Sequence, residues 1–265
     1  MKVKDKTIVV TGAGSGMGRE LSLQLIKKGA RVAMVDLNEE GMKETARLSG
    51  VGADFIQSFR LDISNKEEVF ALPQKVIDAL GGVDGLINNA GIIQPFVPVK
   101  DLELDMAEKV MRVNFFGSLY MCKAFLPYLA ERPEAHLVNV SSMGGFMPFP
   151  GQTLYGASKA ALKLLTEGLQ SELRNSHIGI SLIYPGAVNT DIMHNSGVEN
   201  ISKDSEGTKM KITQADDAAR QMIEAIENKK AAVYIGKDAR MLIKLYRLAP
   251  VWSAGFIAKQ MEKLR

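Results

Sequence analysis

Seven short apolar or β-branched runs, TIVVT, RVAMVD, DFIQSFRLD, GLINNAG, HLVNVSS, GISLIYPG and AAVYIG, are spaced along the chain with longer segments of 3.6-residue periodicity between them. Strands that are apolar on both faces must be covered on both faces, which places helices on either side of a parallel sheet. The pattern predicts an α/β fold with a doubly wound, seven-stranded parallel sheet flanked by helices. At 265 residues without a Pro/Gly/Ser linker, the chain is expected to form one domain over 1–236, with 237–265 as a C-terminal extension of it. Helix starts are expected at Ser64 with Glu67 and at Thr213 with Asp216, the spacing of a capping box.

Composition excludes several classes. Hydrophobic residues make up 46% and charged residues 24%, the balance of a globular protein with ample core. The single cysteine, Cys122, rules out an internal disulfide framework and reads as a buried small hydrophobe. His136, His177 and His194 lack ligand spacing, so no metal is expected. The opening MKVKDKTIVVTGAG has too short an apolar run for a signal peptide, and a reducing cytoplasm is the expected location. The formal charge of +3 is uneven: residues 237–265 carry seven Lys/Arg against two Asp/Glu, leaving the preceding part at −2. A nucleic-acid surface on the main domain is therefore not expected.

The stretch TIVVTGAGSGMGREL runs strand, glycine turn, helix. Gly12 suits the tight turn, Gly16 would let a pyrophosphate approach the backbone, and Gly18 would let the helix pack closely on the strand, with the helix amides facing the phosphates. The pattern is T-G-x-x-x-G-x-G, with Met17 breaking the commoner G-x-G-x-x-G spacing. The next strand ends at Asp36, eighteen residues after Gly18, where a carboxylate can accept hydrogen bonds from ribose hydroxyls. It would repel a 2′-phosphate, and neither Ser15 nor Leu37 supplies a compensating cation, so NAD is expected over NADP. This is a Rossmann-type signature.

Further motifs follow in order: LDI with Asp62, NNAG at 88–91, VN at 113–114, SS at 141–142, YGASK at 155–159 and YPGAVNT at 184–190. Together they resemble the short-chain dehydrogenase/reductase (SDR) family over about residues 5–236. The resemblance implies that Asp62 and Ile63 contact adenine, that Asn89, Ala90, Gly91 and Val113 line the cofactor cleft, and that the backbone around Pro185, Gly186, Val188 and Thr190 holds the nicotinamide carboxamide. It implies a catalytic set of Asn114, Ser142, Tyr155 and Lys159, with Tyr155 and Lys159 also touching cofactor. Ser142 matches better than Ser141, because Gly145 follows at the family's spacing. The family is commonly dimeric or tetrameric, so a homodimer or homotetramer is expected.

These residue types suit the chemistry. Hydride transfer at an alcohol carbon needs a proton acceptor or donor at its oxygen, and a tyrosine serves if nearby positive charge lowers its ordinary pKa of about 10. A four-residue spacing puts Lys159 on the same helical face as Tyr155. Ser142 could hold the substrate oxygen. On the substrate side, Met143, Phe146, Met147 and Phe149, with Ile93, Gln94 and Phe96 from another loop, read as apolar walls. A small hydrophobic secondary alcohol or ketone (lipid, terpenoid, steroid or aromatic) is the expected substrate, under a polar lid at 194–214. In the extension, Arg240, Lys244 and Arg247 are expected on one face and Met241, Leu242, Leu245, Leu248 and Ala249 on the other, up to Pro250. It could contact another subunit or the active-site mouth, lie on a membrane surface, or be a solvated terminal helix. The alternative to an enzyme is a dinucleotide-binding sensor or scaffold acting on a partner or membrane through this tail.

Overall fold

The structure, a computed structural model, describes residues 1–198 and 212–262. Its elements are β1 (Thr7–Thr11), α1 (Gly16–Lys27), β2 (Arg31–Asp36), α2 (Glu39–Ser49), β3 (Ile56–Arg60), α3 (Lys66–Leu80), β4 (Gly85–Asn88), α4 (Leu104–Met111), α5 (Ser118–Ala130) and β5 (Ala135–Val140). There follow α6 (Thr153–Glu172), β6 (Ile178–Pro185), β7 (Val188–Asn189), α7 (Ile192–Asn195), β8 (Thr213–Gln214), α8 (Ala215–Glu227), β9 (Ala232–Ile235), α9 (Lys237–Leu248) and α10 (Pro250–Glu262).

The seven runs form one parallel sheet in the order β3-β2-β1-β4-β5-β6-β9, and β7 and β8 make a separate parallel pair. The continuous apolar character of β1 has a direct cause. Ile8 and Val10 face a core with Leu21, Leu25, Met222 and Ile223 from α1 and α8, while Val9 faces a core with Val69, Leu72 and Phe125 from α3 and α5.

Two helix starts differ from the sequence expectation. The cap of α3 is Asn65, whose Oδ1 accepts from the Glu68 amide at 3.3 Å; the Ser64 amide donates to Asp62 instead. Thr213 caps nothing, because its backbone is committed to pairing with Val188 in the β7–β8 ladder, and α8 starts from Gln214 without a side-chain cap.

Cys122 is buried against Asn88 and Asn139, and burial pushes its thiol up to about 12. His136 is a core histidine on Ser181, held down at about 4 chiefly by burial and then by the N-terminal ammonium. Among the described residues, no group of three or more His, Cys, Asp or Glu gathers as a metal site would require.

The extension folds back on the body. Leu242 and Ile257 bury Met147, joined by Met143, Phe146, Phe149, Leu245 and Tyr246, and Asp238 accepts from the Ala187 amide at 2.6 Å. Its faces are divided differently from the expectation. Leu242 points inward, but Met241 and Leu248 are 50% and 85% exposed and share the outer surface with Lys244 and Arg247. The inward register is set by Ala239 and Leu242, three residues apart, and this turns Met241 and Leu248 outward. The break falls at Ala249, and Pro250 opens α10, a position where a missing N–H costs nothing.

Candidate active site

Sheet order reverses between β1 and β4, and in open α/β sheets the crevice at such a point, beyond the strands' carboxyl ends, is where ligands bind. The chain leaves β1 through Gly12 and Gly16, at φ +69° and +49°, a region costly for residues with a Cβ. A Cβ on Gly18 would overlap the Gly12 carbonyl oxygen and press on Asn89, so α1 begins in contact with the turn. Ser15, the N-cap of α1, makes no capping bond; its Oγ accepts from Asn195 at 2.9 Å.

Asp36 ends β2. Its Oδ2 accepts from the Gly14 amide at 2.8 Å and its Oδ1 from the Asn38 amide at 2.9 Å, which fixes the carboxylate at the rim of a cleft of about 770 Å³. Gly12, Ser15, Leu37, Asp62 and Ile63 line this cleft near Asp36, and Ala90, Gly91 and Val113 line it further along. A recess of about 90 Å³ continues past Gly16, Met17, Asn89 and Thr190. Gly18 lies beneath the turn, and three other expected residues are placed off these walls. Pro185 is buried at the end of β6, Gly186 packs against Asp238, and Val188 packs on the core below α1. The Gly186 and Ala187 amides are both claimed internally, by the Ile235 carbonyl and by Asp238. Two cations that sequence reasoning missed, Lys109 and Arg112, line the cleft with Asp36. Their i,i+3 spacing is indistinguishable from a solvated helix face.

Beyond Gly91 the four other expected side chains follow one another: Asn114 and Lys159 border Gly91, Lys159 Nζ lies 6.0 Å from the Tyr155 ring centroid, and Tyr155 is hydrogen-bonded to Ser142. Asn114 sits in a π-helical turn, Arg112–Gly117, and is fully buried. Its Oδ1 accepts from the Ile92 amide, and its Nδ2 donates to the Ile92 carbonyl and to Ser158 Oγ, all at 2.9–3.0 Å. Lys159, one turn after Tyr155 on α6, is buried and donates through Nζ to the Val140 carbonyl at 3.0 Å. A Cβ on Gly91 would stand 3.1 Å from both Asn114 Oδ1 and Lys159 Nζ, so only a glycine leaves this corner of the cleft open. Ser142 follows β5 and accepts from the Gly144 amide at 3.1 Å. Ser141 points away, its Oγ donating to the Lys159 carbonyl at 2.9 Å.

The electrostatics depart from the expected tuning. Packing around its ring raises the Tyr155 pKa, with a hydrogen bond to Ser142 pulling the other way. Burial lowers Lys159 to about 8. The reason is geometric: Nζ is directed at Val140 and lies 6.0 Å from the Tyr155 ring centroid.

On the substrate side, Ile93 is buried and its amide donates to Ser196 Oγ. Met143 and Phe149 pack against the extension, and Phe146 sits edge-on to Tyr184 and Tyr234. Gln94, read as a wall residue, is instead wholly buried under the start of α6. The expected lid at 194–214 falls for the most part outside the described residues.

Comparison with known proteins agrees with this architecture. A family model described as short chain dehydrogenase matches residues 6–201. The chain is 31% identical over 251 residues to a putative oxidoreductase, SadH, of Mycobacterium tuberculosis, covering 92% of this chain and 90% of that one. A short chain dehydrogenase/reductase from Burkholderia phymatum in complex with NAD superposes with a TM-score of 0.79 at 27% identity, covering 88% and 90% of the two chains. A short chain dehydrogenase from Burkholderia cenocepacia in complex with NADP gives 0.80 at 26%, covering 97% and 99%. With a matching family model, a matching sheet and matching relatives over nearly its whole length, the chain belongs to the short-chain dehydrogenase/reductase family of oxidoreductases.

Proposed function

We propose that this oxidoreductase moves a hydride between NAD and a hydrophobic secondary alcohol or ketone, with Tyr155 as general acid/base. The observation that carries the reading is that Asn114 and Lys159 border Gly91, at the end of a cleft that begins at Asp36, while Tyr155, its ring centroid 6.0 Å from Lys159 Nζ, is hydrogen-bonded to Ser142. The residues present fit a dinucleotide. The first turn of α1 has no side-chain cap, the carboxylate of Asp36 is held at the rim, and the side-chain-free corner at Gly91 admits a planar group beside Lys159. When bound, the nicotinamide supplies the hydride donor or acceptor. The protein's part is to place and protonate the oxygen. Ser142 holds it by a hydrogen bond, and Tyr155 takes the alcohol proton in oxidation or returns it to the carbonyl oxygen in reduction. Lys159 presents its Nζ at the Gly91 corner, where it would meet the cofactor, and Asn114 fixes the loop that closes the cleft behind it.

Asp36 supports NAD over NADP, and apolar Phe146 and Phe149, which line a hollow of about 530 Å³ with Gly144 and Gly156 next to Tyr155 in the chain, support an apolar substrate. The test is a panel of apolar and polar secondary alcohols and ketones run with both cofactors. Turnover on apolar members with kcat/KM favouring NAD by about tenfold or more is expected, since a like charge beside a 2′-phosphate costs several kcal/mol. NADP preference would show that Lys109 and Arg112 outweigh Asp36. The sensor alternative has less support, because every position of the catalytic set carries a competent residue.

We further propose a cytoplasmic homodimer or homotetramer whose residues 237–265 belong to the same folding unit, with an outer face that contacts another subunit or a membrane surface. Among the described residues, no helix is long and apolar enough to cross a membrane. What supports surface contact is the outer face of α9 and α10. Leu248, Val251 and Trp252, 85%, 87% and 60% exposed, stand beside exposed Lys244, Arg247 and Lys259. Such a mixture suits an anionic lipid interface. Trp252 is the chain's one tryptophan, so its emission reports on this face alone. A blue shift with phosphatidylglycerol vesicles, lost in L248E/V251E, is expected. An unchanged spectrum would end the membrane reading.

A further inference from the structure

The helix that carries Tyr155 starts without a cap of its own: Gln152, its N-cap residue, makes no capping side-chain bond. Its first amides are claimed from another part of the chain. Gln94 Oε1 accepts from the Leu154 amide at 2.8 Å and from the Tyr155 amide at 3.0 Å. Gln94 Nε2 donates to the Gly151 carbonyl at 3.0 Å, and Gln152 Nε2 donates to the Gln94 carbonyl at 2.7 Å. Gln94 has no exposed surface. Helix N-termini are ordinarily satisfied from within a few residues, so a cap from about sixty residues upstream ties two separate parts of the fold together.

The same short loop is fixed at each of its positions. Gly91 borders Lys159 and Asn114, Ile92 is held by the Asn114 amide group, and the Ile93 amide donates to Ser196. The loop thus links the cofactor end of the cleft to the first turn of α6, and Gln94 is its contact with the backbone of Tyr155 itself.

We infer that Gln94 is a positioning residue for catalysis: its side-chain amide sets the height and direction of the first turn of α6, and with it the phenol of Tyr155 relative to Gly91 and Ser142. Gln94 does not touch substrate or cofactor. The inference rests on Tyr155 being the acid/base, as proposed above.

The test compares Gln94→Leu, which removes every side-chain bond, with Gln94→Glu, which keeps an acceptor facing the two amides and, as a fully buried acid held neutral, a donor facing the Gly151 carbonyl. In the leucine variant kcat should fall by roughly tenfold to a hundredfold, since a misplacement near 1 Å has that effect on rate. Affinity for NADH, measured by fluorescence titration, should stay within about twofold, because the loop's hold on Gly91 through Asn114 is intact. The glutamate variant should recover most of kcat. Hydrogen exchange supplies a readout independent of activity: the Leu154 and Tyr155 amides should lose protection in the leucine variant while β1 and β4 keep theirs. An NADH-competent leucine variant with kcat within about twofold of wild type overturns the inference. So does a glutamate variant no better than leucine, or a parallel loss of kcat and NADH affinity. If Tyr155→Phe itself remains active, the acid/base reading fails instead, and the exchange result still decides whether Gln94 holds the helix start.

Discussion

Tyr155→Phe should lose about a hundredfold to ten-thousandfold in kcat, the range that a positioned proton donor or acceptor contributes. NADH affinity should change little. The phenol oxygen is the only atom removed, and the ring keeps its place against the Gly144 backbone, where a Cβ on Gly144 would meet it at 3.4 Å. Because packing holds the Tyr155 pKa above its ordinary value, the wild type is set up as a proton donor at neutral pH. Carbonyl reduction should therefore persist to higher pH than alcohol oxidation does to lower pH. Oxidation needs the phenolate, and should improve as pH rises. Steady-state rates in both directions across about pH 6–10, with the phenylalanine variant as baseline, check this. A variant that keeps more than a tenth of wild-type turnover would remove Tyr155 from the mechanism.

Gly18→Ala should be the most damaging single methyl group in the cofactor half. The added Cβ would overlap the Gly12 carbonyl oxygen and also crowd Asn89 Nδ2, which donates to the Thr11 carbonyl. Backbone cannot yield as a flexible side chain can, so the cost is expected to be about 3 kcal/mol or more. NADH binding should be lost together with stability, because the turn and the first amides of α1 move as one. Gly168→Ala is the control. Gly168 is exposed on α6, a methyl group there would meet nothing within 4 Å, and the change should stabilise by about 0.5–1 kcal/mol through helix propensity. Urea denaturation of the three proteins, with NADH titration alongside, checks both. A stable, NADH-binding alanine variant at 18 would show that the turn has room to open.

The glycine turn is the part of the site most legible beforehand. Residue type and strand–turn–helix context both appear in a single 15-residue stretch, and the reason for Gly18 lies six residues away, at Gly12. Tyr155 and Lys159 are legible as one helical turn, but their role is read only from the family motifs around them. Asn114 is recognisable only by likeness, since nothing local announces the π-helical turn that aims its amide at Ile92. Gln94 invites the wrong reading because an apolar neighbourhood in sequence suggests a pocket wall, whereas its partners are Gly151, Leu154 and Tyr155. The tail is misdivided for a related reason: helical periodicity names two faces but not which one meets the protein.

The seven strands of the main sheet, the glycine turn and the spacing of Tyr155 and Lys159 were carried by the sequence alone, while the β7–β8 pair was not. Each is a local pattern: strands covered on both sides must be continuously apolar, and a helix repeats every 3.6 residues. Tertiary structure alone decided which amides Gln94 caps, that Lys109 and Arg112 share a cleft with Asp36, that Ser142 faces Tyr155 while Ser141 ties down Lys159, and that Met241 and Leu248 face outward. Those are relations between segments brought together by the order of strands in the sheet, and hydrogen bonds and burial are set by distance in space.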